Sequence, residues 1–140
     1  MTNKTRIESD FLGEKEIEAS AYYGVQSLRA LENFPITGYR LNSDLIRALG
    51  MVKKAAALGN YANGVLEEDK KNAIVQASEE IIEGKLHEDF IVDPIQGGAG
   101  TSTNMNANEV IANRALEIMG RDKGDYDFIS PNNQDRKSVV

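Results

Sequence analysis

The sequence predicts a mainly α-helical domain with a small extended or β segment at its N-terminus. Apolar residues recur at three- and four-residue intervals in the later parts of the chain, as on one face of a helix. The first part, Thr5 to Glu18, has short apolar runs around Gly13 instead. The chain has 140 residues, 41% of them apolar, which is enough for one domain with a modest core.

The N-terminal segments are read from local signals. Residues 5–18 are expected to be extended and to form a small hairpin. Residues 19–32 have apolar residues at helical spacing, which Gly24 interrupts. This segment ends before Pro35, because proline disfavours helix at the residue that precedes it.

A first long helix is predicted from Leu45 to Tyr61. Ser43 is a candidate N-cap, and Asp44 would lie in the first turn, where the helix dipole favours a negative charge. The stripe expected to face the core consists of Leu45, Leu49, Val52 and Ala56.

A second helix is predicted from Glu67 to Glu83. Its first turn is acidic, and Gly84 stands where a helix-ending glycine is expected. The residues expected on its inner face are Ile74, Ser78, Ile81 and Ile82.

A third helix is predicted from Thr103 to Met119, ended by Gly120. Its expected core residues are Met105, Ala112, Leu116 and Met119. This helix is rich in asparagine, which has poor helix propensity, so packing, hydrogen bonding or ligand contact must favour it there. The asparagines are Asn104, Asn106, Asn108 and Asn113.

The segment before this helix is the most informative part of the sequence. It reads QGGAGTSTNMN from Gln96 to Asn106. Glycines allow close approach to a ligand, and a helix N-terminus with nearby hydroxyl and amide donors favours a small anion. The alternative is that the hydroxyls only cap the helix, and the residue types alone do not decide between the two. The nucleotide-binding lysine of a P-loop is absent from this run.

Composition excludes several classes of protein. The net charge of −6 argues against nucleic acid as a partner, because phosphate binding requires clustered basic residues. The chain has no cysteine, so it forms neither a disulfide nor a thiolate metal site. It has no apolar run of about 18 residues for a membrane span, and its first ten residues do not resemble a signal peptide. A cytoplasmic location is expected.

Residues 97–119, GGAGTSTNMNANEVIANRALEIM, resemble the first signature region of the aspartase/fumarase superfamily. Four shorter motifs resemble the N-terminal segments of aspartate ammonia-lyases in order and spacing: DFLGE from Asp10, AYYGVQ from Ala21, ENFPI from Glu32 and FIVDP from Phe90. Fumarases typically carry serine at the position of Ala99. The aspartase branch is therefore the better match, with a fumarase as the alternative.

The resemblance implies the helical N-terminal domain of this fold, spanning residues 1–132, in an enzyme that converts L-aspartate to fumarate and ammonia. It implies that Thr101 binds a substrate carboxylate, with Gly100 allowing close backbone approach and Asn104 either supporting the site or serving structure. Ser102 and Thr103 are expected to cap the helix. No organic cofactor is implied, and the sequence shows no set of metal ligands.

The resemblance also implies what this sequence lacks. The family's catalytic serine lies in a downstream signature that does not occur in these 140 residues. Complete members form homotetramers in which three subunits build each active site. The chain departs from the family after Asn132, and residues 133–140 are interpreted as an unrelated tail. The isolated chain is therefore expected to be a catalytically inactive, truncated fragment.

Other candidate residues are assigned structural or surface roles. His87 has charged neighbours that indicate a solvated turn, and no family role corresponds to it. The acidic groups at 67–69 and 79–83 and the lysine pairs at 53–54 and 70–71 are expected to be solvated surface. Ser130 replaces a histidine of the secondary anion site of fumarases, so that site is not carried over.

Overall fold

The computed structural model describes residues 4–132 and confirms a mainly helical fold with a short N-terminal sheet. The residues predicted to form a tail, 133–140, lie outside the described residues. The elements, in chain order, are strands β1 (Thr5–Asp10) and β2 (Gly13–Glu18), and helices α1 (Val25–Asn33), α2 (Ser43–Ala62), α3 (Glu68–Ile82) and α4 (Thr101–Ile118).

The predicted hairpin is confirmed. Strands β1 and β2 are antiparallel, with Thr5 opposite Glu18 and Asp10 opposite Gly13. Gly13 has a φ of 116°, a conformation that glycine adopts without a steric penalty, so it can close the tight turn. Ile17 faces inward and is buried, whereas Phe11 at the hairpin tip is almost fully exposed.

Helix α2 agrees with its predicted position, but two details of the prediction are wrong. The N-cap is Asn42, whose Oδ1 accepts the backbone N–H of Asp44 at 2.8 Å, and not Ser43. The predicted core stripe is also shifted, because Leu45 and Val52 are 47% and 61% exposed. The buried face instead contains Ile46, Gly50 and Ala57.

The buried face of α2 differs from the predicted stripe because of the way α2 packs against α3. A Cβ at Gly50 would lie 3.1 Å from Ile81, Ile82 and the carbonyl oxygen of Ser78, so the two helices approach each other closely at this glycine. Apolar residues occur on more than one side of α2, and only the tertiary packing selects which side is covered.

Helix α3 keeps the predicted inner face, since Ile74, Ser78 and Ile81 are fully buried and Ile82 is half-buried. Gly84 follows the helix with a φ of 93°. The backbone N–H groups of Gly84 and Lys85 donate to the carbonyl oxygens of Ile81 and Glu80, respectively. This is the hydrogen-bond pattern expected where a glycine ends a helix.

Helix α4 is the central element of the domain. Residues 106–113 are all buried, because α1 and α3 pack against the helix and the segment around Ile129 covers part of it. Of the predicted core residues, Ala112 and Leu116 are fully buried, and Met105 and Met119 are partly buried. The helix begins at Thr101, two residues earlier than predicted.

No helix within residues 4–132 combines the length and the apolar character needed to cross a membrane.

Candidate functional site

The glycine segment reaches α4 through consecutive left-handed residues. Gly98, Ala99 and Gly100 have φ values of 73°, 53° and 88°, and Gly100 is the N-cap residue of α4. A left-handed conformation costs a non-glycine residue about 1–2 kcal/mol, so Ala99 is held there by its surroundings. We call residues 96–101 the glycine loop.

Two polar side chains anchor the glycine loop. Gln96 Oε1 accepts the backbone N–H of Thr103 at 2.8 Å, and Gln96 Nε2 donates to the carbonyl oxygen of Asp93 at 2.8 Å. The buried Asp93 carboxylate accepts the backbone N–H groups of Thr37, Gly38 and Ile95 at 2.8–2.9 Å. The loop is thereby tied both to α4 and to the segment that follows α1.

The capping prediction for this helix is wrong. Ser102 and Thr103 do not hold the cap position, which belongs to Gly100. The oxygen that accepts the N–H of Thr103 comes from Gln96, outside the helix. The hydroxyl-rich sequence is therefore not explained by capping of α4.

The three predicted binding residues lie together at the first turn of α4. Thr101 is exposed, and its hydroxyl donates to the carbonyl oxygen of Gly98 at 2.5 Å. Asn104, one turn further along the helix and also exposed, accepts a hydrogen bond from Lys53 Nζ to its Oδ1 at 2.8 Å. Gly100 directly precedes Thr101 and has open space at the position of its missing Cβ.

The other asparagines of α4 bind backbone groups of neighbouring segments. Asn106 Nδ2 donates to the carbonyl oxygen of Asp89 at 2.9 Å, and its Oδ1 accepts the N–H of Val92 at 3.3 Å. Asn108 Nδ2 donates to the carbonyl oxygen of Pro131 at 3.1 Å. These contacts attach irregular segments to the central helix, which accounts for residues of poor helix propensity in its interior.

Asn113 has the same role towards the end of α4. Its Nδ2 donates to the carbonyl oxygen of Tyr22 at 2.8 Å and to the Tyr126 hydroxyl at 2.9 Å. Its Oδ1 accepts the N–H of Gly124 at 2.8 Å.

Glu109 is a buried acid that the sequence analysis missed. It is 1% exposed, and its Oε1 accepts the backbone N–H of Ser27 in the first turn of α1 at 3.2 Å, while Oε2 has no hydrogen-bond partner within residues 4–132. Burial, and secondly repulsion from Glu8, raise the pKa of Glu109 to about 8. The sequence did offer one sign of this buried acid, since Glu109 lies between Asn108 and Asn113 in a predicted helix.

A groove of about 750 Å³ lies beside this acid rather than at Thr101. It is formed by the hairpin tip, one face of α1 and the segment near Asn132, and Ser102 is the residue of the first turn of α4 that lines it. Gly100, Thr101 and Asn104 do not line the groove. The candidate binding residues therefore form an open surface within residues 4–132.

Several surface predictions need correction. Glu80 forms a two-pronged ion pair with Arg114, at 2.6 and 2.9 Å, and this hydrogen bonding lowers the pKa of Glu80. Lys70 is largely buried, with its Nζ 4.5 Å from the centre of the Phe128 ring. Lys53 is half-buried. The sequence predicted that these charged residues are solvated, because spacing along the chain does not show which side chains contact them in the folded protein.

His87 and Ser130 have structural contacts. The His87 ring is half-buried, with Nε2 3.0 Å from the carbonyl oxygen of Ile81, and it forms a T-shaped pair with the Phe90 ring at a centroid distance of 6.3 Å. Ser130 Oγ accepts the N–H of Asn132 at 3.1 Å, which closes a tight turn. Among the residues that the structure describes, no cluster of three or more His, Asp or Glu side chains is arranged to hold a metal ion.

Comparison with known proteins identifies the family. Residues 13–136 match a protein family described as "Lyase". The chain is 65% identical over 132 residues to the aspartate ammonia-lyase of Bacillus sp, which covers 94% of this chain and 28% of that protein. It is 68% identical over 127 residues to the aspartate ammonia-lyase of Bacillus subtilis, covering 91% of this chain and 27% of that protein.

Comparison with solved structures indicates the same family. A fumarate lyase:delta crystallin from Brucella melitensis has a TM-score of 0.90 and 58% identity, covering 95% of this chain and 31% of that one. A class II fumarase from Schistosoma mansoni has a TM-score of 0.81 and 33% identity, covering 86% of this chain and 26% of that one. The chain thus spans less than a third of these proteins. It belongs to the lyase family of the aspartase/fumarase superfamily, and it matches the N-terminal region of aspartate ammonia-lyases.

Proposed function

We propose that the chain is the N-terminal part of an aspartate ammonia-lyase that converts L-aspartate to fumarate and ammonia. The main support for this proposal is that the chain is 65–68% identical to two Bacillus proteins named aspartate ammonia-lyase. The fumarase structure is more distant, at 33% identity, and fumarases typically have serine where this chain has Ala99. Both observations favour the aspartase over the alternative fumarase.

In this proposal the glycine loop binds one carboxylate of the substrate. The left-handed Gly98 and Gly100 allow the backbone to approach a ligand at the N-terminus of α4, where the helix dipole favours an anion. The Thr101 hydroxyl would exchange its contact with the carbonyl oxygen of Gly98 for the carboxylate. That exchange is favourable because hydrogen bonds to a charged acceptor are stronger than those to a neutral one.

The donors at this carboxylate would stabilise the intermediate of the reaction. A base removes a proton from the carbon next to the carboxylate, and the electron pair of the C–H bond moves into the carboxylate as an enediolate. The pair then forms the C=C bond as the C–N bond breaks and nitrogen leaves as ammonia. Negative charge grows on the carboxylate oxygens, where a hydrogen bond from the Thr101 hydroxyl would lower the barrier.

The rest of the site would come from residues beyond these 140. The resemblance assigns the base to a serine in a signature that this sequence lacks, so a polypeptide of these residues alone is expected to be inactive. The same proposal includes a cytoplasmic homotetramer as the complete enzyme, with residues 1–132 as its N-terminal domain.

Removal of the Thr101 hydroxyl tests this proposal. The test enzyme joins residues 1–132 of this chain to the remainder of the Bacillus subtilis relative, and we call it the chimera. Thr101→Ala in the chimera should lower kcat/KM for L-aspartate by about 100- to 1000-fold, or about 3–4 kcal/mol, the effect of losing one donor to a developing oxyanion.

Thr103→Ala is the matched control for this experiment. It removes a hydroxyl on the same helical turn but keeps the backbone N–H that Gln96 accepts, so kcat/KM should change little. Equal kcat/KM values for the two variants would exclude Thr101 from carboxylate binding.

A further inference from the structure

Lys53 is a half-buried cation without a carboxylate partner in the described part of the chain. Its neighbour Lys54 donates to Glu79 Oε1 at 2.8 Å, whereas within residues 4–132 Lys53 has no ion pair. Burial lowers the pKa of Lys53, and no acidic group offsets that effect. A partly desolvated ammonium without a counter-charge is costly, and an anion bound nearby would reduce this cost.

The contact of Lys53 with Asn104 fixes the orientation of the Asn104 amide. Lys53 Nζ lies 2.8 Å from Asn104 Oδ1. An ammonium can only donate, so the amide oxygen must face it, and both N–H groups of Asn104 Nδ2 remain available to another acceptor. Because Asn104 is one helical turn from Thr101, these donors lie next to the glycine loop.

The overall charge of the chain favours a local cation at an anion site. The chain carries a net charge of −6, so an anionic ligand is repelled by the molecule as a whole and needs a local positive potential. The N-terminus of α4 supplies part of that potential, and the Lys53 ammonium lies beside the same turn.

We propose that Lys53 is a positioning residue for the carboxylate bound at the glycine loop. It holds Asn104 with its amide donors free for the ligand, and it adds the positive charge that a dicarboxylate requires in an acidic protein. This inference rests on the proposed function and extends it to the α2 side of the site. The ligand class is a small dicarboxylate, with one carboxylate at Thr101 and Asn104.

The test compares Lys53→Met with Lys54→Met in the 140-residue chain by NMR. Methionine keeps an aliphatic stem without the charge, and Lys54→Met removes the adjacent, ion-paired ammonium as a matched control. The side-chain NH₂ resonances of Asn104 are measured first without ligand. The backbone resonances of residues 98–104 are then followed while succinate, a dicarboxylate with no amine to eliminate, is added.

We expect Lys53→Met to shift the Asn104 NH₂ resonances and to raise the succinate dissociation constant by about three- to tenfold, the scale for a partly exposed charge. Lys54→Met should leave both unchanged. Lys53→Gln keeps an N–H donor for Asn104 without the charge, so it should give an intermediate dissociation constant. If Lys53→Met unfolds the chain, the dissociation constant of Lys53→Gln tests the role of the Lys53 charge instead.

The outcomes separate the two proposals. Saturating shifts with equal dissociation constants in the Lys53 and Lys54 variants would overturn the role of Lys53 and leave the proposed function standing. A wild-type chain with no saturating shift at residues 98–104 would overturn carboxylate binding by the loop and the role of Lys53 with it.

Discussion

Glu109 places a carboxyl group where water has almost no access, between the N-terminus of α1 and the Tyr126 hydroxyl. The acid also packs closely against Gly24, where a Cβ would lie 2.2 Å from Glu109 Oε2 and 2.5 Å from the Tyr126 hydroxyl oxygen. Any larger residue at position 24 would therefore displace the acid. Glu8, itself buried, raises the pKa of both Glu109 and Tyr126 in addition to the larger effect of burial.

The raised pKa of Glu109 predicts a pH dependence of stability. The folded value of about 8 lies above the ordinary value of 4.5, so between these values the folded state binds more protons than the unfolded state. The contribution of Glu109 to the free energy of unfolding is therefore greatest below pH 4.5. It falls as the pH rises to about 8, by up to about 4 kcal/mol.

Urea unfolding of the wild type and Glu109→Gln across this pH range measures that contribution. The difference between their free energies of unfolding should change steadily with pH, because glutamine does not titrate. Glu79→Gln, which replaces a half-exposed acid on α3, should follow the wild type. A wild-type curve parallel to that of Glu109→Gln would show that Glu109 titrates normally.

At the residue scale, sequence reasoning located Thr101, Gly100 and Asn104 because they belong to one continuous motif. It did not locate Lys53, which is 51 residues from its partner Asn104. A lysine in an exposed ion pair and one facing a loop have the same sequence neighbours, as Lys53 and Lys54 demonstrate. The difference arises only when α2 packs beside the start of α4.

At the scale of elements, the start of α4 depends on a side chain from outside the helix. Gln96 accepts the N–H of Thr103 and also donates to the carbonyl oxygen of Asp93, so it joins the loop to the helix. Glycine at the cap position offers no side-chain acceptor of its own.

Gln96→Ala should therefore destabilise the chain by about 1 kcal/mol, the usual effect of losing a helix cap. The amide hydrogen of Thr103 should exchange with solvent faster, which NMR detects at that single residue. Gln76→Ala on α3, where the side chain makes only a 3.5 Å contact with Glu80, is the control and should not be destabilised. Unchanged exchange at Thr103 would exclude Gln96 as the cap.

The positions of the long helices were predictable from the sequence, whereas their buried faces were predictable only in part. Helix α3 has one apolar face, and its inner residues were predicted correctly. Helix α2 has apolar residues on both sides, and periodicity does not distinguish the side that meets Ile81 from the side that carries Val52. The N-cap of α2 was misplaced by one residue because asparagine and serine are both good caps.

At the scale of the whole molecule, the described residues have their own core but leave large apolar side chains in solvent. On α2, Met51 and Val52 are 56% and 61% exposed, and Phe11 at the hairpin tip is 94% exposed. The chain spans only 27–31% of the length of the Bacillus and Brucella relatives that it matches. The open position of Thr101 accords with our proposal that residues beyond this chain complete the site.

The formation of fumarate from L-aspartate, followed by ultraviolet absorbance, tests the central proposal most directly. It is measured with the 140-residue chain, with the chimera, and with the Bacillus subtilis relative from which the matched N-terminal region is removed. We expect fumarate and ammonia in equal amounts from the chimera, and none from either part alone. A folded chimera without activity, or turnover by the 140-residue chain itself, would contradict the proposed function.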